Sequence, residues 1–129
     1  MKRISIVTFL TCILLTLTVN SWAMQASYYS VKSLKRDGQW RLTKGRCSDG
    51  SQFSDTKKTC ATWLYKKGTM LKIRNKENGK EVICKVTDRI NRRFTYKRID
   101  LSKSAFMEIA GGEQGLKKGL LPITVEVVR

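Results

Sequence analysis

The chain has 129 residues, with 26 Lys and Arg against 10 Asp and Glu, and a net charge of +16. That length, with 41% apolar residues, suits one small domain with a core and excludes general disorder. Histidine is absent, which excludes Ser-His-Asp and Cys-His nucleophiles and His-ligated zinc; any catalysis rests on carboxylates, hydroxyls, a thiol or cations.

Residues 1–23 read as a cleaved secretory signal. Lys2 and Arg3 precede an uncharged apolar run from Ile4 to Val19, and Ser21-Trp22-Ala23 supplies small residues at a cleavage site. The run is short for a membrane span of about 20 residues, so no stable span is expected after cleavage. The mature domain, 24–129, loses Lys2 and Arg3 and carries +14. It is expected to be a secreted or periplasmic monomer. Such a charge favours anionic partners, which in that compartment are peptidoglycan or other anionic cell-wall polysaccharides. Nucleic acid is not expected, because no basic stripe interleaves with aromatics. No cofactor or metal is expected. Cys47, Cys60 and Cys84 remain in the mature chain, an odd number for an oxidising compartment. One bridge and one free thiol is the simplest expectation, and the Cys47–Cys60 spacing permits a loop-closing disulfide. A loop of about 15 residues would be stabilised by about 3 kcal/mol.

In chain order, residues 25–30 read as a short strand. Residues 31–58 read as a polar, Gly-punctuated loop with a strand near Trp40–Thr43, and Thr59–Trp63 has strand composition. Thr69–Arg74 and Glu81–Thr87 alternate as a hairpin around Asn78-Gly79, the favoured pair for a tight type I′ turn. Leu71 and Ile73 share one face; Val82, Cys84 and Val86 share another, so Cys84 points to the core as a free thiol. Ser102 is a good N-cap for one helix carrying Ala105, Phe106 and Ile109, which Gly111-Gly112 stops. Ile123, Val125 and Val127 alternate in a last strand. Many short strands with one short helix suggest a small β-barrel.

Thr59-Cys60-Ala61-Thr62, Gly68-Thr69, Asn78-Gly79-Lys80, Val86-Thr87-Asp88-Arg89 and Arg98-Ile99-Asp100-Leu101-Ser102 occur in that order. The set resembles the double-psi β-barrel domain of the rare lipoprotein A-like family and, more distantly, expansins and family 45 endoglucanases. The resemblance runs from Ala26 to Val128. It implies a mainly β, six-stranded double-psi barrel with one short helix and a groove that acts on, or binds, cell-wall glycans. Catalytic members of the family resemble lytic transglycosylases and carry a Glu, a His and an Asp. Here Ser51 stands at the Glu position and Thr62 at the His position, while Asp88 keeps the Asp without the Gly-Pro that follows it. Asp100 is similar in position to the functional acid of expansins and endoglucanases; the alternative is a structural acceptor at the helix start. Asp88 and Asp100 are therefore the candidate catalytic acids. Ser51, Thr62, Trp63, Arg89 and Arg98 are the candidate substrate contacts. Tyr28, Tyr29 and Tyr65 belong either to the groove or to the core, and Arg89, Arg92, Arg93, Lys97 and Arg98 form a basic loop.

A hydrolase needs two carboxyls, about 5–5.5 Å apart for retention or about 6.5–9.5 Å for inversion. A lytic transglycosylase needs less, because the muramic acid's own 6-hydroxyl closes a 1,6-anhydro ring and one carboxyl can give and take the proton. Two functions stay open. One is a lytic transglycosylase with a degenerate site; the other is a non-catalytic, expansin-like polysaccharide-binding module.

Overall fold

The computed structural model describes residues 24–94 and 97–129; the expected leader at 1–23 lies outside the described residues. The hairpin forms where the alternation puts it. β3 (Met70–Asn75) pairs antiparallel with β4 (Glu81–Asp88), Leu71 opposite Cys84 and Ile73 opposite Val82, and all four are buried. Its turn is longer than the two-residue Asn-Gly turn expected. The Asn75 N–H donates to the Lys80 carbonyl at 2.9 Å, closing a loop over 76–79 in which Gly79 takes φ +76. The side-chain amides of Asn75 and Asn78 both donate to the Ile109 carbonyl, at 2.8 and 2.9 Å. The loop thus also satisfies an orphan carbonyl in the last turn of a helix.

Six strands close into a barrel in the order β1, β5, β2, β4, β3, β6. β1 (Met24–Tyr29) runs parallel to β5 (Arg98–Ser102), and β2 (Thr59–Ala61) runs parallel to β4. The remaining pairs, including those of β6 (Leu121–Val127), are antiparallel. Parallel neighbours demand long connections, and neither pair is consecutive in the chain: β2 reaches β4 only after β3, and β1 reaches β5 only after β2, β3 and β4. Leu71, Ile73, Val86, Ile99, Leu101, Leu121 and Ile123 fill the interior. Along β6 the alternation fades: Val125 is half-buried and Val127 is exposed. One helix seals the core: Ser102 ends β5, its hydroxyl accepts from the Ala105 N–H, and Lys103–Ala110 follows, burying Ala105, Phe106 and Ile109. Burying a side chain as large as Phe106 stabilises by about 1.5–3 kcal/mol.

Residues 31–58 depart from the expected loop. They begin with two short helices, α1 (Val31–Arg36) and α2 (Gln39–Thr43), so the sealing helix is α3 and the described residues hold three short α-helices, not one. Trp40–Thr43 lies in α2 and is not a strand. The cause is local: Ser30 caps α1 through a reciprocal box, its hydroxyl accepting from the Ser33 N–H at 3.1 Å while the Ser33 hydroxyl accepts from the Ser30 N–H at 2.9 Å. Val31, Leu34 and Trp40 then pack on a second apolar cluster outside the barrel, formed by Tyr29, Cys47, Phe53, Ala61 and Ile90. Gly45, at φ +74, follows the Trp40 ring so closely that an added Cβ would overlap it.

The expected Cys47–Cys60 disulfide does not form: Cys47, Cys60 and Cys84 are all free thiols. Successive residues of a strand face opposite sides. Cys60 points into the barrel core, its thiol against that of Cys84, whereas Cys47 packs outside with Ala61, the next residue of β2.

Candidate functional site

Four polar or small residues form one row across the outer face of four adjacent strands. Ser27 of β1 lies opposite Asp100 of β5, Asp100 opposite Ala61 of β2, and Ala61 opposite Asp88 of β4. Asp88 reaches this row because of an irregularity. Between Cys60 and Ala61 the register skips one residue of β4, so Cys60 faces Val86 but Ala61 faces Asp88. Strict alternation after Val82, Cys84 and Val86 would have sent Asp88 toward the core. The extra residue, Thr87, absorbs the bulge, buried with its hydroxyl donating to Cys47 Sγ at 3.6 Å.

Above the row runs an open groove of about 910 Å³. Its lining includes Tyr29, Leu34, Arg36, Arg46, Trp63 and residues 89–92. Part of this lining comes from the α1–α2 segment, where a loop is expected from the sequence. Its signal was present in the Ser30–Ser33 spacing, but a Ser in place of Glu or Gln three residues after the cap is a weak sign. Ser27 was missed as well, although a strand residue two before Tyr29 necessarily points the same way.

The two acids sit differently. Asp88 Oδ1 accepts the N–H groups of Ser48 (3.1 Å) and Arg89 (2.8 Å). Asp100 Oδ1 accepts the Ser27 hydroxyl at 2.9 Å. Burial pushes the Asp100 carboxyl up to about 6, with the charge of Asp88 adding to it and the Ser27 bond and Arg98 opposing. The N-terminus of α3 is capped by Ser102, so Asp100 is not its acceptor. Burial likewise raises the Cys47 thiol and the Tyr29 phenol, the latter further disfavoured as an anion by Cys47, Asp88 and Asp100.

Asp88, Asp100, Trp63 and Arg89 thus meet in one groove. Three other expected contacts do not line it. Thr62 is fully buried and its hydroxyl accepts from the Leu64 N–H. Ser51 is exposed on its own loop, donating to Asp49. Arg98 covers the Phe94 ring at 4.0 Å. Tyr65 packs partly on the core, away from the groove. Trp63 is 40% exposed, and its Nε1–H donates to the Ile90 carbonyl at 2.6 Å. Arg89 Nη1 donates to the carbonyls of Thr62 (2.6 Å) and Tyr65 (2.8 Å). Among the described residues no group of three potential metal ligands comes together, and no helix is long and apolar enough to cross a membrane.

Comparison with solved structures places this geometry. The Streptomyces papain inhibitor superposes with a TM-score of 0.59 at 20% identity, covering 84% of this chain and 94% of that one. A mutant expansin from Clavibacter michiganensis, in complex with cellohexaose, gives 0.56 at 22%, over 83% of this chain and 50% of the expansin. Cerato-platanin 3 from M. perniciosa gives 0.58 at 15%, over 84% and 95%. The chain has the double-psi barrel fold. The sequence matches no protein-family model and no curated protein. The double-psi barrel here spans only half of the expansin, and at these identities the likeness is one of fold.

Proposed function

We propose that this chain is a secreted or periplasmic protein of the rare lipoprotein A-like kind whose groove binds cell-wall polysaccharide, peptidoglycan strands foremost. The observation that carries this reading is the row Asp100–Ala61–Asp88 along an open groove, with Ser27 bonded to Asp100. Ala61 leaves the floor low between two hydrogen-bonding carboxyls, and the volume suits several sugar rings. The Clavibacter expansin, half of which shares this fold, was solved in complex with cellohexaose, a linear glycan.

The spacing of the acids disfavours a retaining hydrolase, though not the wider separation of about 6.5–9.5 Å that inversion uses. Each lies one strand from Ala61, which puts their Cα atoms roughly 10 Å apart, and side chains on the convex face of a barrel splay. A retaining pair needs carboxyls about 5–5.5 Å apart. A second reading keeps one observation on its side: the Asp100 carboxyl, raised to about 6, is protonated to a higher pH than an ordinary carboxyl, which suits a group that gives a proton to a leaving oxygen, as a lytic transglycosylase requires. Isolated cell walls separate the two. Residues 24–129 are expected to co-sediment with walls and to release no 1,6-anhydro-muropeptides. Release that Asp88→Asn or Asp100→Asn abolishes, with binding intact, would establish the transglycosylase instead. Failure to co-sediment would remove both readings.

A further inference from the structure

Trp63 looks at first like a platform for a sugar ring, but its ring is already engaged. The guanidinium carbons of Arg89 and Arg92 lie over it, 5.4 and 5.2 Å from its centroid, both within cation–π range. The indole cannot turn to free a face, since its Nε1–H is fixed to the Ile90 carbonyl. A neutral pyranose stacking on a face so covered would have to displace a guanidinium and lose that attraction.

The two cations are presented to the groove, which both line. Arg89 is anchored through Nη1 alone, whose two bonds go to backbone carbonyls. That leaves Nε–H and both N–H groups of Nη2 outside those bonds. Among the described residues Arg89 forms no ion pair with a carboxylate. A guanidinium held by carbonyls and an aromatic face keeps its full charge and a fixed fork, the arrangement that matches a planar carboxylate.

We infer that Arg89 and Arg92, carried on Trp63, form a carboxylate subsite, and that the groove selects glycans bearing carboxylate groups over neutral ones. This rests on the reading of the groove as a polysaccharide site and names its ligand class. The carboxylate belongs either to a uronic acid ring or to the lactyl group of a muramic acid freed of its peptide stem.

Calorimetric titration of residues 24–129 tests this with three probes at one physiological ionic strength: oligogalacturonate, stem-free peptidoglycan strands, and cellohexaose. At least one of the two carboxylated probes is expected to bind about tenfold or more tightly than cellohexaose; which of them does so identifies the source of the carboxylate. Arg92→Gln should remove that preference by about tenfold. Lys76→Gln and Lys117→Gln, outside the groove, should leave it within about twofold. Cellohexaose binding as tightly as the acids, with Arg92→Gln neutral, overturns the subsite but keeps the polysaccharide groove. Equal losses at Lys76 and Lys117 would mean that net charge alone attracts the acids, and the subsite falls. If none of the three probes binds, the groove reading and the subsite fall together.

Discussion

Asp100 shows what a single half-buried carboxyl does to a small protein. Its pKa rises from 3.8 to about 6 on folding, chiefly through burial. The folded chain therefore holds this proton more tightly than the unfolded chain does. Below about pH 4 the group has no effect; as pH rises to about 6 stability falls, and above that the penalty is complete. Asp100→Asn removes the penalty, and its amide oxygen still accepts the Ser27 hydroxyl. Chemical denaturation should find the variant more stable than the parent by up to about 3 kcal/mol at neutral pH. The gain should vanish near pH 4. A variant less stable at neutral pH would mean that the carboxylate is held by a stabilising contact instead. A variant so stabilised is folded, so the same substitution then serves the wall assay.

At the scale of elements, what sequence could show followed the strength of the local signal. The β3–β4 alternation and the Ser102 cap with Ala105, Phe106 and Ile109 were legible, because burial there repeats at a regular period. The ordered motifs gave the barrel through resemblance. Alternation could not give the side on which Asp88 lies, because one bulge residue, Thr87, reverses it. Nor could it give the cysteine pairing, which depends on which face of a three-residue strand Cys60 takes. The groove wall at α1 was hidden because six residues carry too little periodicity to announce a helix. That helix depends on its cap: Ser30→Ala removes one half of the box and should cost about 1 kcal/mol. It should also weaken wall binding, since Leu34 and Arg36 then lose their fixed place in the groove. Thermal melting alongside the sedimentation assay checks both. An unchanged melt with full binding would make the α1 wall dispensable.

For the molecule as a whole, two apolar clusters lie on opposite sides of one sheet. One fills the barrel under α3; the other fastens α1, α2 and the chain up to Phe53 to its outside. The inner cluster gathers residues from all six strands, so it opens only when the barrel does. The outer cluster rests on a few side chains and two short helices, and segments so held open at lower free energy than the core. Each cluster happens to enclose its own free thiol chemistry, Cys47 outside and Cys60 with Cys84 within. The protein therefore carries two internal clocks. Pulsed alkylation under native conditions, read by mass, should modify Cys47 well before the other two, and Ser30→Ala should quicken Cys47 alone. Simultaneous modification of all three would show that the strap and the barrel open as a single cooperative unit.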